Sequence, residues 1–250
     1  MCLVVLAWNV LPRERLVLAG HRDELHARAT APMDWWAEPR LLAGRDLAAG
    51  GTWLGVTDDG RFGVVTNLRG APSPRDPPSR GTLIPRYLAS GVPAGEFIAA
   101  LAAEAGRYAG FSLLLGDAAE LWYLSNGDPT GPRRLERGVH GLSNGTLGAE
   151  WPKVRRSRAR LEARLATALG EPGELLALLA DRAPAPDAEL PDTGIGLERE
   201  RALSPPFIVD PTYGTRAASA LVLARDGGGQ AVERTHGADG AVLGERRFRF

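Results

Sequence analysis

The turn Asp58-Asp59-Gly60 stands between two apolar runs, Trp53–Thr57 and Arg61–Asn67. Asp-Gly supplies the positive φ that a tight hairpin turn requires, so these runs are expected to pair antiparallel. The arrangement recurs along the chain. Leu3–Trp8 and Arg15–Gly20 flank a turn containing Pro12, and Phe111–Gly116 and Glu120–Ser125 flank Asp117-Ala118-Ala119. Towards the C-terminus Thr215–Ala224, Gln230–His236 and Ala241–Phe250 alternate with glycine-rich turns, which predicts a meander. Gly227-Gly228-Gly229 precedes one of these strands rather than a helix, so it reads as a turn and not as a phosphate cradle.

Helical periodicity fills the intervals. Pro93 reads as a first-turn proline, followed by Phe97, Ile98, Leu101, Ala105 and Tyr108 at helical spacing. A second helix is predicted over Ser157–Leu169, with Leu161, Leu165 and Leu169 as its apolar stripe, and a short third over Glu174–Leu179. Hairpins separated by helices predict antiparallel sheets covered by helices, an α+β fold, rather than a βαβ nucleotide-binding fold. Ala71–Ser79 and the proline-rich Ala183–Asp192 read as surface loops. At 250 residues the chain is expected to form one domain, 1–250.

Composition narrows the partners. Thirty Lys+Arg balance thirty Asp+Glu, so no net field draws the molecule to nucleic acid or anionic lipid. No window approaches the roughly 18–20 apolar residues of a membrane span, so stable membrane insertion is not expected. Met1–Asn9 lacks the basic start and the length of a signal peptide. One cysteine forms no internal disulfide, which fits a cytoplasmic location. The four histidines lack zinc-site spacing, so no metal is expected.

The chemistry centres on Cys2. A small residue after Met1 permits methionine removal, which leaves a thiol and a free α-amine on one residue. An α-amine pKa of about 7.7–8.0 lies close to the thiol's ~8.5, so nucleophile and base come from the same residue. Gly20-His21-Arg22-Asp23-Glu24 is expected at the end of the second strand, near Cys2 if the hairpin forms. There a guanidinium can lower the thiol pKa and a carboxylate can orient the ammonium. Asn67 and Asn144 are side-chain amides at chain turns, able to donate to an oxyanion. Each of these residues also has an ordinary reading, as an edge-strand cysteine, a surface turn or a turn asparagine. The six tryptophans read mainly as core or rim, and Arg155, Arg156, Arg158, Arg160 and Arg164 as a solvated helix face.

Taken in order, Cys2, His21-Arg22-Asp23-Glu24, Gly44-Arg45-Asp46, Gly50-Gly51-Thr52-Trp53-Leu54-Gly55, Thr66-Asn67, Ser79-Arg80-Gly81, Tyr108-Ala109-Gly110-Phe111, Gly116-Asp117, Gly141-Leu142-Ser143-Asn144, Trp151-Pro152-Lys153-Val154 and Tyr213-Gly214-Thr215-Arg216 resemble the NRDE family, the transport and Golgi organisation protein 2 family. The resemblance runs from residue 2 to the C-terminal meander. It implies a four-layer αββα sandwich of the N-terminal-nucleophile (Ntn) hydrolase type. More distantly the chain is similar to cysteine Ntn amidases, whose Cys, Arg, Asp, two Asn and late Arg match Cys2, Arg22, Asp23, Asn67, Asn144 and Arg216. Two departures stand out. His21 occupies the position of the family's signature Asn, and Arg22 and Asp23 are adjacent. Neighbours on an extended strand point to opposite faces, so both reach Cys2 only if the strand ends in a turn there.

Two functions follow as expectations. One is a hydrolase of an amide or thioester acyl substrate with Cys2 as nucleophile and no required cofactor. The other, implied by the resemblance alone, is a non-catalytic protein that binds and moves haem or a lipid or acyl-CoA on the same scaffold.

Overall fold

A computed structural model of the chain describes residues 2–167 and 169–250. Along the chain come β1 (Cys2–Trp8), β2 (Glu14–Leu25), β3 (Thr30–Trp36), β4 (Leu41–Asp46), β5 (Leu54–Val56), β6 (Phe62–Asn67), α1 (Leu83–Ser90), α2 (Ala94–Ala102), β7 (Phe111–Gly116) and β8 (Leu121–Ser125). They are followed by β9 (Arg133–Arg134), β10 (Gly138–Leu142), α3 (Pro152–Leu165), α4 (Pro172–Leu175), α5 (Leu197–Ala202), β11 (Tyr213–Ala224), β12 (Gly229–His236) and β13 (Val242–Arg249). The fold is α+β with two large antiparallel sheets. Among the described residues no helix is long and apolar enough to cross a membrane.

The chain divides into two compact units. The first takes residues up to Ala27, Arg137–Ser143 and Gly148–Phe250, and the second takes Arg28–Glu136 with Asn144–Leu147.

In the first unit six strands run in the order β10-β1-β2-β11-β12-β13. The period-2 pattern of β1 sends Leu3, Val5 and Ala7 to one face, where they join Val17, Ala19, Ala218, Ala220, Val222 and Val232. Helix α3 lays Val154 and Leu161 on that face, and α4 with the 3₁₀ turn after it adds Leu175, Leu176 and Leu179. Gly141 permits the close approach, since a Cβ there would stand 2.7 Å from a Val154 methyl.

In the second unit the order is β3-β4-β5-β6-β7-β8-β9. Helices α1 and α2 cover one face through Leu83, Ile84, Tyr87, Ala94, Ile98 and Leu101, against Ala43, Val65, Leu113 and Leu115. Gly63 has no room for a side chain beneath α1, because its Cβ would lie 2.9 Å from Leu115 and 3.1 Å from Ile84.

Several expectations shift. Helix α3 begins at Pro152, five residues before the predicted start, because proline fits the first helical position without losing a needed N–H. Ala168, inside the predicted 157–169 helix, lies outside the described residues. Pro93 is the N-cap of α2 rather than its first turn, and that helix stops at Ala102 instead of reaching Tyr108. The predicted third helix starts at Pro172 and tightens to 3₁₀ geometry over Leu176–Leu179. Strands β3 and β4 carry no clean alternation in the sequence, since Pro32 lies inside β3 and a register shift separates Ala31 from Asp34. On α3 the arginines do form a solvated face, with Arg155 on Glu189, Arg158 on Glu150 and Arg160 on Asp181.

Leu161 is fully buried under α3. Replacing it with alanine is expected to cost about 2–5 kcal/mol, read as a lower denaturation midpoint in urea with an unchanged slope.

Candidate functional site

Strand β2 does not end at Gly20. It continues to Leu25, so His21-Arg22-Asp23-Glu24 is strand and not turn. The reason is tertiary: β11 pairs with β2 along that whole stretch, and β1 pairs with it as far as Arg22, which supplies the ladder partners that polar residues do not advertise. The turn that would have brought both Arg22 and Asp23 to Cys2 is therefore absent.

Cys2 pairs directly across from Arg22, on the same face of the sheet. The backbone N–H of Asp23 weakly favours the thiolate. The Cys2 carbonyl accepts the Ser143 hydroxyl at 2.9 Å, which ties the start of β1 to the end of β10. Arg22 is buried, and its guanidinium lies 3.8 Å from Glu24, two residues along on the same face.

Asp23 takes the opposite side of the pleat with His21. Its carboxylate, 1% exposed, accepts the Thr215 hydroxyl at 2.7 Å. Thr215 Oγ1 in turn accepts the Ile208 N–H at 3.0 Å, and the Tyr213 hydroxyl donates to the Asp23 carbonyl at 2.9 Å. Arg216 is the extra residue of a β-bulge, standing between Thr215, which faces Asp23, and Ala217, which faces Arg22. Its guanidinium donates to the Leu25 carbonyl at 3.2 Å. Ser143, Thr215 and Tyr213 lie within the motifs quoted above, yet hydroxyls next to more reactive groups gave no signal of their supporting role.

The two asparagines belong to the second unit. Asn144 Nδ2 donates to Asn67 Oδ1 at 2.9 Å and to the Asn67 carbonyl at 3.2 Å. The Asn144 carbonyl accepts the Arg69 N–H at 2.8 Å, so the amide pair stands on fixed backbone.

The electrostatics correct one expectation. Burial pushes the Cys2 thiol above its ordinary value; the terminal ammonium pulls down, Asp23 pushes up, and Arg22 pulls down. The cation expected to activate the thiol is present but is outweighed. Cys2 is half-buried, whereas His21 is buried, and its pKa falls to about 4, chiefly because burial penalises the imidazolium. Its Nδ1–H donates to the Pro206 carbonyl at 3.1 Å, leaving Nε2 as a buried acceptor without a hydrogen-bond partner. His26, the other histidine near this stretch, faces the Asp210 carbonyl at 3.1 Å. Among the described residues no group of three or more His, Cys, Asp or Glu is placed to hold a metal.

The order of these motifs along one chain has a counterpart in known proteins. The sequence matches the Transport and Golgi organisation 2 family over residues 1–238. The chain belongs to that family. The Transport and Golgi organization 2 homolog of Mus musculus is 27% identical over 257 residues, covering 94% of this chain and 93% of the relative. The Bos taurus homolog is 29% identical over 266 residues with the same coverage. The Drosophila melanogaster protein is 28% identical over 265 residues, covering 94% and 92%.

His21 carries a pH signature. A depressed folded-state pKa means that stability is fully present above the unfolded value of 6.5 and is lost as pH falls towards the folded value of about 4. The loss is expected to approach about 3 kcal/mol. His236, whose pKa is also lowered by burial, adds in the same direction. Denaturation midpoints across this range should fall with pH in the native chain and fall less in His21→Asn.

Proposed function

We propose that the protein is an Ntn-type cysteine hydrolase acting on an amide or thioester acyl substrate, with Cys2 as nucleophile after removal of Met1. The observation that carries the reading is the pairing of Cys2 directly across from buried Arg22. A peptide N–H and a guanidinium both favour the thiolate, and that combination suits a nucleophile better than a packing residue. The four-layer Ntn scaffold and a cytoplasmic setting belong to the same proposal.

In this reading the freed α-amine takes the thiol proton as sulfur bonds to the acyl carbon. The C–N or C–S bond of the substrate then breaks, and the ammonium returns the proton to the leaving amine or thiol. Water adds to the resulting thioester with the amine as base, which releases the carboxylic acid and restores Cys2. Asn144, with Asn67, is assigned the oxyanion, and Arg22, Asp23 and Arg216 hold the order of the site. Methionine removal places the ammonium on Cys2 itself, where its attraction lowers the thiol pKa further.

One observation favours a second reading, a non-catalytic carrier of haem or of an acyl-CoA. Burial outweighs the activating charges at Cys2, and the Asp23 side chain is committed to Thr215 rather than to the thiol. A small-molecule pocket needs neither a thiolate nor a free amine.

Intact mass of the purified protein is expected to show a chain starting at Cys2. Alkylation by iodoacetamide should then report a thiol pKa below about 8.5 in the processed chain and above it in a chain that keeps Met1. On a panel of acyl-CoA thioesters and N-acyl amides, Cys2→Ala should abolish turnover while sparing ligand affinity. Asn144→Ala should cost roughly 10²–10³ in kcat. Equal inertness of the native chain and Cys2→Ala on the whole panel, with equal haem binding by absorbance, would transfer the assignment to the carrier.

A further inference from the structure

The six-stranded sheet ends in an open edge. Strand β13 pairs only with β12 among the described residues, and nearly all of Val242–Arg249 is exposed. Val242 and Leu243 are 56% and 70% exposed, and the strand contains no proline; its guards are charges of both signs, Glu245 against Arg246, Arg247 and Arg249, which can complement a second charged strand. It also lies beyond residue 238, where the family match ends.

The ladder shows which groups are available. Phe250 and Gly229 exchange both backbone hydrogen bonds, so Phe248, Arg246 and Gly244 also turn their N–H and C=O towards β12. The backbone groups of Glu245, Arg247 and Arg249 therefore point outward. A register shift between Thr235 and His236 makes Leu243 a bulge, which leaves the strand regular from Gly244 onward.

We propose that β13 pairs antiparallel with β13 of a second copy, about a two-fold axis at Arg246, so that one sheet runs across a dimer. A two-fold axis normal to the sheet keeps each residue on its own face. Glu245 and Arg247 pair with each other at 2.7 Å within one copy, while Glu245 also holds Arg234 at 2.5 Å. They therefore meet Arg247 and Glu245 of the other copy and extend that charge ladder across the axis. On the other face Phe248 lies over Gly244 of the second copy. A Cβ built on Gly244 meets nothing within 4 Å, so that position is open to a ring, and an aromatic residue across from an edge glycine is a favourable pair. Centring on Glu245 opposes that carboxylate to itself. Centring on Arg247 pairs Glu245 with Arg249 and Gly244 with Phe250, which lies outside β13, and sets Phe248 against Arg246. The Arg246 register keeps both contacts within β13, Glu245 with Arg247 and Gly244 with Phe248; Arg246 then faces its own copy at an exposed position from which both side chains reach solvent. The alternative occupant, an acidic extended segment of another protein, would meet three arginines but also Glu245, which the self-pairing uses.

Sedimentation velocity on the full chain tests this. A short edge interface should give a monomer–dimer equilibrium with a Kd on the order of 1–100 μM. Arg247→Pro removes an outward N–H and leaves the bonds to β12 in place, so it should abolish the dimer without changing the Tm. Glu245→Arg should weaken association about tenfold or more, and adding Arg247→Glu should restore it to within about threefold by rebuilding both cross-copy pairs. Arg234→Gln, which removes only the in-chain partner of Glu245, should leave association unchanged. A chain that stays monomeric through the concentration series overturns the proposal. So does a dimer that survives both Arg247→Pro and Glu245→Arg, which would place the contact on another surface.

Discussion

The ladder between β2 and β11 is the constraint on which the candidate site depends. It holds a run of four polar residues, His21 to Glu24, in extended backbone within a sheet that is otherwise lined with valine, leucine and alanine. Once the backbone is fixed in this way the pleat sorts the side chains without further choice. Arg22 and Glu24 go to the face of Cys2, and His21 and Asp23 go to the face of α3. The Arg216 bulge changes the register of β11 at the same level, so Thr215 meets Asp23 while Ala217 meets Arg22.

That sorting gives Asp23 two separate tasks. Its main-chain N–H weakly favours the thiolate, and its carboxylate serves the other side of the sheet through Thr215. Tyr213 grips the Asp23 carbonyl, so the strand is held at main chain and side chain together. The Cys2 thiol is consequently set by competition. Burial and Asp23 oppose the thiolate; the terminal ammonium and Arg22 favour it.

The face that receives Asp23 is equally polar. His21 stacks edge-on against Phe207 at 5.4 Å, and Phe207 stacks against His236 at 4.9 Å. Lys153, the one lysine of the chain, is buried nearby and donates to the Leu203 carbonyl at 3.1 Å. A neutral His21 suits this setting, since burial and the neighbouring Lys153 and His236 outweigh the attraction of Asp23 for the imidazolium. His21 thus belongs to a buried surface away from the thiol's own face.

Much of this was legible in the amino-acid order alone. Asp-Gly turns and period-2 runs specify hairpins because positive φ and alternating burial are local demands; β1, β6, β7 and β8 lie where such signals place them. Cys2 and its companions were likewise recognisable as an ordered set of motifs. Strand β3, with Pro32 in its interior, was not legible, nor was the extension of β2 through four polar residues, because those segments are strand only by virtue of their neighbours. The faces of Arg22 and Asp23, the bulge at Arg216, and the Asn67–Asn144 pair were decided by long-range register. The sequence by itself determined which reactive groups the chain carries. Only the tertiary structure decided which of them share a face and how far burial offsets charge, since register and desolvation arise from partners distant along the chain.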